Sequence, residues 1–171
     1  MLFNLVLILI IIFLFFVLSM VWPPDSPWTP WWRTSKKVAR AQCRLAKIKK
    51  GDLIYDLGSG DGTALMIAAK EFGAKGIGLE IDLIRFYISK LLLRLYGVSK
   101  EVKVKRKNFF EENLKNADII FVYLVPKTLD RLIPKFKKEL KKGTKILSYR
   151  YEINLPLKKY DKKSRIRLYV I

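Results

Sequence analysis

The chain has 171 residues, room for one domain and a short appendage but not for two catalytic domains. Its 34 Lys and Arg outnumber 15 Asp and Glu for a net charge of +19, and histidine is absent, which excludes His-based triads, imidazole general bases and His-ligated metals. The only cysteine, Cys43, excludes an internal disulfide and a multi-thiolate zinc site, so no metal is expected and a reducing compartment suits the chain.

Leu2 to Trp22 is almost wholly apolar, broken only by Asn4 and Ser19. At ~1.5 Å per residue, such a helix reaches across a hydrocarbon core of roughly 30 Å. It lacks the basic start and small-residue cleavage site of a signal peptide, so residues 1–22 are expected to form a retained transmembrane anchor in the bilayer. Residues 23–32, rich in Pro and Trp, read as an interfacial linker, and residues 33–171 as the folded domain. Eight basic and no acidic residues lie between Arg33 and Lys50. By the positive-inside rule this places the domain in the cytoplasm, and it suits either anionic lipid headgroups or a solvated helix face.

Within the domain, Thr34 or Ser35 caps an expected helix through Ile48, with Val38, Ala41, Leu45 and Ile48 on one apolar face. Asp52–Leu57 reads as a buried strand, Thr63–Phe72 as a helix, Gly76–Glu80 as a strand and Ile84–Tyr96 as a helix. Val102–Arg106 and Ala117–Val125 follow as strands, Thr128–Leu140 as an amphipathic helix, and Lys145–Ile153 and Ser164–Ile171 as closing strands. Strands alternating with helices predict an open, mostly parallel α/β sheet with its ligand beyond the carboxyl ends of the strands.

The turn after the first strand reads Asp56-Leu-Gly58-Ser59-Gly60-Asp61-Gly62. Its glycines allow tight turns, and their amides, with the following helix amino terminus, are expected to hold an anionic group. The G-x-G-x-G spacing departs from the dinucleotide fingerprint and from the phosphate-binding loop of nucleoside triphosphatases. Glu80 ends the second strand, where a carboxylate accepts from both hydroxyls of a ribose.

These residues resemble the class I S-adenosylmethionine-dependent methyltransferases, whose first motif is an acidic residue followed by G-x-G-x-G and whose second strand ends in an acidic residue. The resemblance implies a Rossmann-like sheet with helices on both faces and S-adenosylmethionine as cofactor. It assigns cofactor binding to Asp56, Gly58, Ser59, Gly60, Gly62, Glu80, Asn108 and Phe109, with Asn108 at the adenine position. The text from Thr29 to Gly62 and from Asp118 to Tyr151 also resembles the membrane-anchored protein-lysine methyltransferases related to the mitochondrial enzymes that modify the ATP synthase c-subunit and the adenine nucleotide translocase. That likeness implies lysine methylation on a membrane-associated protein. Tyr123, Leu124, Pro126 and Tyr149 then line the substrate channel, and no general base is assigned.

Plainer readings stand beside these: a glycine turn as a mere turn, Glu80 facing solvent, Asn108 as a helix cap, the tyrosines as strand packing. Two other substrate classes are open. A phospholipid headgroup amine suits an anchor with a basic surface, and nucleic acid suits the net charge. Nucleic acid ranks last, because Tyr123-Leu-Val-Pro126 lacks the Asn/Asp-Pro-Pro-Tyr/Phe motif that holds a base and Cys43 lies outside any cytosine-methylating motif.

Overall fold

The computed structural model describes residues 2–21 and 32–171. Helix α1 spans Leu2–Val21, and α2 spans Lys36–Ala46 with Ser35 as its cap, the Ser35 hydroxyl accepting from the Val38 N–H at 3.3 Å. Strands β1 (Leu53–Leu57), β2 (Lys75–Glu80) and β3 (Val102–Arg106) alternate with helices α3 (Thr63–Phe72) and α4 (Leu83–Leu95). Strand β4 (Ile119–Val122) leads through α5 (Pro126–Glu139) to β5 (Lys145–Tyr149), and a hairpin of β6 (Leu157–Asp161) and β7 (Ile166–Val170) closes the chain.

The seven strands form one sheet in the order β3-β2-β1-β4-β5-β7-β6. The first five are parallel, while β7 runs antiparallel to β5 and to β6. Strand alternation sends Ile54, Ile119 and Phe121 to a core under α2, α3 and α4, and Tyr55, Leu57, Ile120 and Val122 to a second core under α5. Helices therefore cover both faces. The strand order reverses between β1 and β4, and the crevice at their carboxyl ends is where such sheets bind ligands.

Four expectations change. The sheet is mixed, with an antiparallel edge on its parallel body. Strand β6 has no counterpart in the sequence reading, since Leu-Lys-Lys-Tyr-Asp is a largely exposed edge that alternation cannot mark. Tyr149 ends β5 early, because Arg150 takes a left-handed φ of 66° and turns the chain out of the ladder. Helix α5 begins at Pro126, where a proline at the first helical position loses no helical hydrogen bond.

The membrane expectation is also corrected. Among the described residues no helix is long and apolar enough to cross a membrane. The unbroken stretch of α1 whose side chains are described, 3–15, is exposed throughout. The single-pass placement with a cytoplasmic catalytic domain is accordingly withdrawn. Of the interfacial linker expected over 23–32, positions 23–31 lie outside the described residues. Several residues of the basic cluster are tied to the domain instead: Arg33 to Asp61, Arg40 to Glu71, and Lys36 over the Tyr96 ring.

Candidate active site

The turn between β1 and α3 folds back over the end of β2. The N–H groups of Gly58 and Ser59 both donate to the Leu79 carbonyl, at 2.9 and 3.1 Å. Gly60 N–H donates to Glu80 Oε2 at 2.7 Å, and Asp82 N–H to Glu80 Oε1 at 2.9 Å. Gly62 N–H donates to the Ser59 carbonyl at 2.9 Å. The expected anion cradle is thus spent on the fold, because the loop lies against β2 rather than opening toward a ligand. Gly78 makes this close approach feasible: a Cβ there would lie 2.6 Å from Ser59 Oγ and 2.9 Å from Ser59 Cβ. At Gly58, with φ of 80°, the turn also passes under Leu124.

What the loop does present is carboxylate. Asp56, Asp61 and Glu80 line one cavity of about 70 Å³ together with Gly58, Ser59, Gly60, Phe109, Tyr123 and Leu124. Burial, reinforced by the neighbouring Glu80 and Asp61 charges, pushes the Asp56 carboxyl up to about 7. Burial also raises Glu80, against the opposing pull of its two backbone donors. On the same wall, Ser59 Oγ and Thr63 Oγ1 are buried with no hydrogen-bond partner among the described residues.

Four of the expected residues stand off this wall. Gly62 sits behind it as the cap of α3, and Asn108 turns inward on its own loop, its Oδ1 accepting from Phe110 N–H at 3.1 Å. Pro126 begins α5, and Tyr149 reaches the cavity only through its neighbour: the Tyr123 and Tyr149 rings meet edge to face at 4.6 Å. Tyr151 lies 6.1 Å from Tyr123, and the Arg150 guanidinium sits 5.9 Å from the Tyr123 ring. Burial raises the Tyr123 hydroxyl above its ordinary value.

The wall also includes Trp32, Arg33, Thr63 and Arg85, which motif reading passed over. Arg33 pairs with Asp61 at 2.6 Å, and the buried Arg85 lies 3.6 Å from Asp82. Asp61 lies between two glycines of the turn. Its only sequence signal is a carboxylate in a turn otherwise built from small residues.

The residues present fit S-adenosylmethionine. Its sulfonium and ammonium charges match a wall of carboxylates, and its polar groups match the two partnerless hydroxyls. Glu80 keeps spare lone pairs beyond its two backbone donors. Fold and site together define a class I S-adenosylmethionine-dependent methyltransferase. Residues 56–156 match the model of the ANTKMT methyltransferase domain, and the chain belongs to that family. It is 35% identical to a protein-lysine N-methyltransferase of Saccharolobus islandicus over 78% of this chain and 82% of the relative. It is 33% identical to the ATP synthase c-subunit lysine N-methyltransferase of Caenorhabditis elegans over 61% of this chain, where it spans 54% of the relative's length. Among solved structures, an RNA methyltransferase of Salinibacter ruber in complex with S-adenosylhomocysteine superposes with a TM-score of 0.79 at 28% identity, covering 82% of this chain and 94% of that one.

Proposed function

We propose that the chain is a protein-lysine N-methyltransferase whose catalytic unit is residues 33–171. The observation that carries the reading is the junction at Tyr123, where a carboxylate-walled cavity meets an aromatic cluster. A cationic cofactor suits the first and an amine suits the second. The named lysine methyltransferases among the relatives support the same substrate class. In this reading Asp56, Gly58, Ser59, Gly60 and Gly62 surround the methionine part of the cofactor, Glu80 accepts from the ribose hydroxyls, and Asn108 and Phe109 flank the adenine. Tyr123, Leu124, Pro126 and Tyr149 bound the path of the lysine. A membrane-associated target is a narrower proposal, for which the likeness to the ATP synthase c-subunit lysine N-methyltransferase is the support.

Bound S-adenosylmethionine supplies an electrophilic methyl carbon on a positively charged sulfur. A lysine ammonium, with a solution pKa near ~10.4, must first lose a proton. The apolar and aromatic surfaces of Tyr123 and Leu124 disfavour the charged form, so the proton leaves to water and the neutral Nζ remains. Held by the Asp56–Gly62 turn and Glu80, the cofactor would supply its methyl group to that nitrogen lone pair, the carbon–sulfur bond being the one given up. The residues along the path mainly hold Nζ in line with that bond, which is where positioning contributes most.

Nucleic acid is the second reading, favoured by the net charge of +19 and by the likeness to an RNA methyltransferase. The deciding experiment incubates the full chain and radiolabelled S-adenosylmethionine with lysate of the source cell, then partitions the label between lipid, nucleic acid and protein hydrolysate. Methyl-lysine in the hydrolysate is expected. Label confined to RNA or to lipid overturns the proposal.

A further inference from the structure

A second concavity, of about 1010 Å³, lies beside the aromatic cluster, between α2 and the β6–β7 hairpin. Lys37 and Arg44 line it from α2, Lys159, Lys163 and Arg165 from the hairpin, and Arg150 at its inner end. Its lone carboxylate, Asp161, accepts from the backbone N–H groups of Lys163 and Ser164 and so braces the turn. Among the described residues no carboxylate forms an ion pair with Lys37, Arg44, Lys159, Lys163 or Arg165. Some basic side chains elsewhere are paired, among them Arg40 with Glu71, Lys135 with Glu139 and Lys107 with Glu112. Like charges gathered with few counter-charges repel one another and do little for stability. They do focus a positive field along the groove.

The groove is linked to the active site by a contact between two rings. Tyr149 and Arg150 line its inner end, Tyr149 packs on Tyr123, and Tyr123 walls the cofactor cavity. A lysine approaching Tyr123 by this route brings a positive charge into a positive field. Only a segment whose remaining residues are negative gains from the approach. Single-stranded nucleic acid is disfavoured by the tyrosines, since such ligands stack bases on open aromatic faces. Here the Arg150 guanidinium lies 5.5 Å from the Tyr149 ring and that of Arg167 lies 4.3 Å from the Tyr160 ring.

We infer that this groove seats an acidic stretch of the protein substrate and leads the target lysine past Arg150 and Tyr149 to Tyr123. The inference rests on the protein-lysine reading and adds a rule of substrate choice to it: lysines flanked by Asp and Glu are preferred.

The test uses the full chain and two fluorescent peptides, one with a single lysine followed by a run of glutamates, the other with glutamines in their place. Fluorescence anisotropy is expected to give about tenfold tighter binding of the glutamate peptide, a preference that fades as salt rises. Lys159→Glu with Lys163→Glu should erase the preference, and Lys159→Arg with Lys163→Arg should keep it. Thermal melting and S-adenosylmethionine affinity report that each variant is folded. If the hairpin variant is not, Arg44→Glu on the opposite wall takes its place. Equal binding of the two peptides overturns the inference, as does an unchanged preference in a folded charge-reversed variant. Displacement of the peptide by a tighter-binding single-stranded oligoribonucleotide also overturns it and assigns the groove to nucleic acid. Methyl transfer separates the two levels of argument. Methyl-lysine formed equally on both peptides sinks the groove and leaves the lysine reading standing, whereas a binding preference without methyl-lysine on any protein does the reverse.

Discussion

The two concavities linked through the Tyr123–Tyr149 ring contact are built on opposite principles. The first cavity is walled by buried carboxylates braced by backbone amides on a turn of small residues, and the groove by exposed lysines and arginines on long side chains. Burying a carboxylate among other carboxylates is costly, and the elevated Asp56 records that cost. Such an arrangement becomes favourable when a cation enters it. In the proposed reading, a chain of net charge +19 segregates its charges by depth, acid for a cationic cofactor and base for an anionic peptide segment.

The strongest way to break this contrast is at Glu80. Glu80→Ala strips the acceptor from Gly60 N–H and Asp82 N–H and removes the proposed ribose contact. S-adenosylmethionine affinity should fall by about 100-fold, from roughly 2–3 kcal/mol of lost charged hydrogen bonds. Calorimetric titration of the full chain measures it, and undiminished affinity would show that the acidic wall is not the cofactor site. Glu80→Gln, which keeps one acceptor oxygen, should fall between.

Asp56 sharpens the contrast through pH. Its folded value of about 7 lies above its ordinary 3.8. Between these values the folded chain holds a proton that the unfolded chain has released, so stability of the cofactor-free chain falls as pH rises through that window. Asp56→Asn should flatten that slope in thermal melts. A cation beside the carboxylate favours its ionised form, so cofactor binding should release a proton and tighten as pH climbs toward 7. Titrations in buffers of differing ionisation enthalpy count that proton, and a count of zero places the cationic centres elsewhere.

Next in size is Gly78→Ala, which drives a Cβ into Ser59 from within β2. A loss of about 1–3 kcal/mol is expected in chemical denaturation, against within ~0.5 kcal/mol for Lys159→Ala on the exposed hairpin. Gly78 also marks the limit of what the sequence reveals. The Asp56 to Gly62 motif, Glu80 and most element boundaries were legible, because buried strands and a glycine turn leave local patterns. Helix α3 and strand β3 fall where periodicity put them. Contacts across the sheet leave none: Gly78 beneath Ser59, Arg33 against Asp61, or the α2 face meeting the β6–β7 hairpin. Strand β6 escaped notice because an exposed edge needs no apolar alternation, and the groove because its charges are scattered over more than a hundred positions. The apolar run at the amino terminus, the most conspicuous pattern in the chain, led to a membrane placement that the described residues do not bear out.

The smallest effect is expected where the two regimes touch. Arg33 reaches down to Asp61 at the cavity wall, yet its side chain is 58% exposed. An ion pair with one end in solvent contributes little, so Arg33→Ala should change stability by less than about 1 kcal/mol. That small change should shrink further in high salt, because exposed charges are screened. Cofactor affinity should stay within a few-fold, since the deeper carboxylates Asp56 and Glu80 are left intact. The outcome bears on the contrast as a whole. If the buried wall holds the cofactor and the exposed groove holds the peptide, cofactor binding follows pH and is nearly indifferent to salt. Peptide binding follows salt and is indifferent to pH near neutrality, where lysine and arginine stay charged. A large salt-sensitive loss of cofactor affinity in Arg33→Ala would mean that surface charge governs both, and the division by depth would fail.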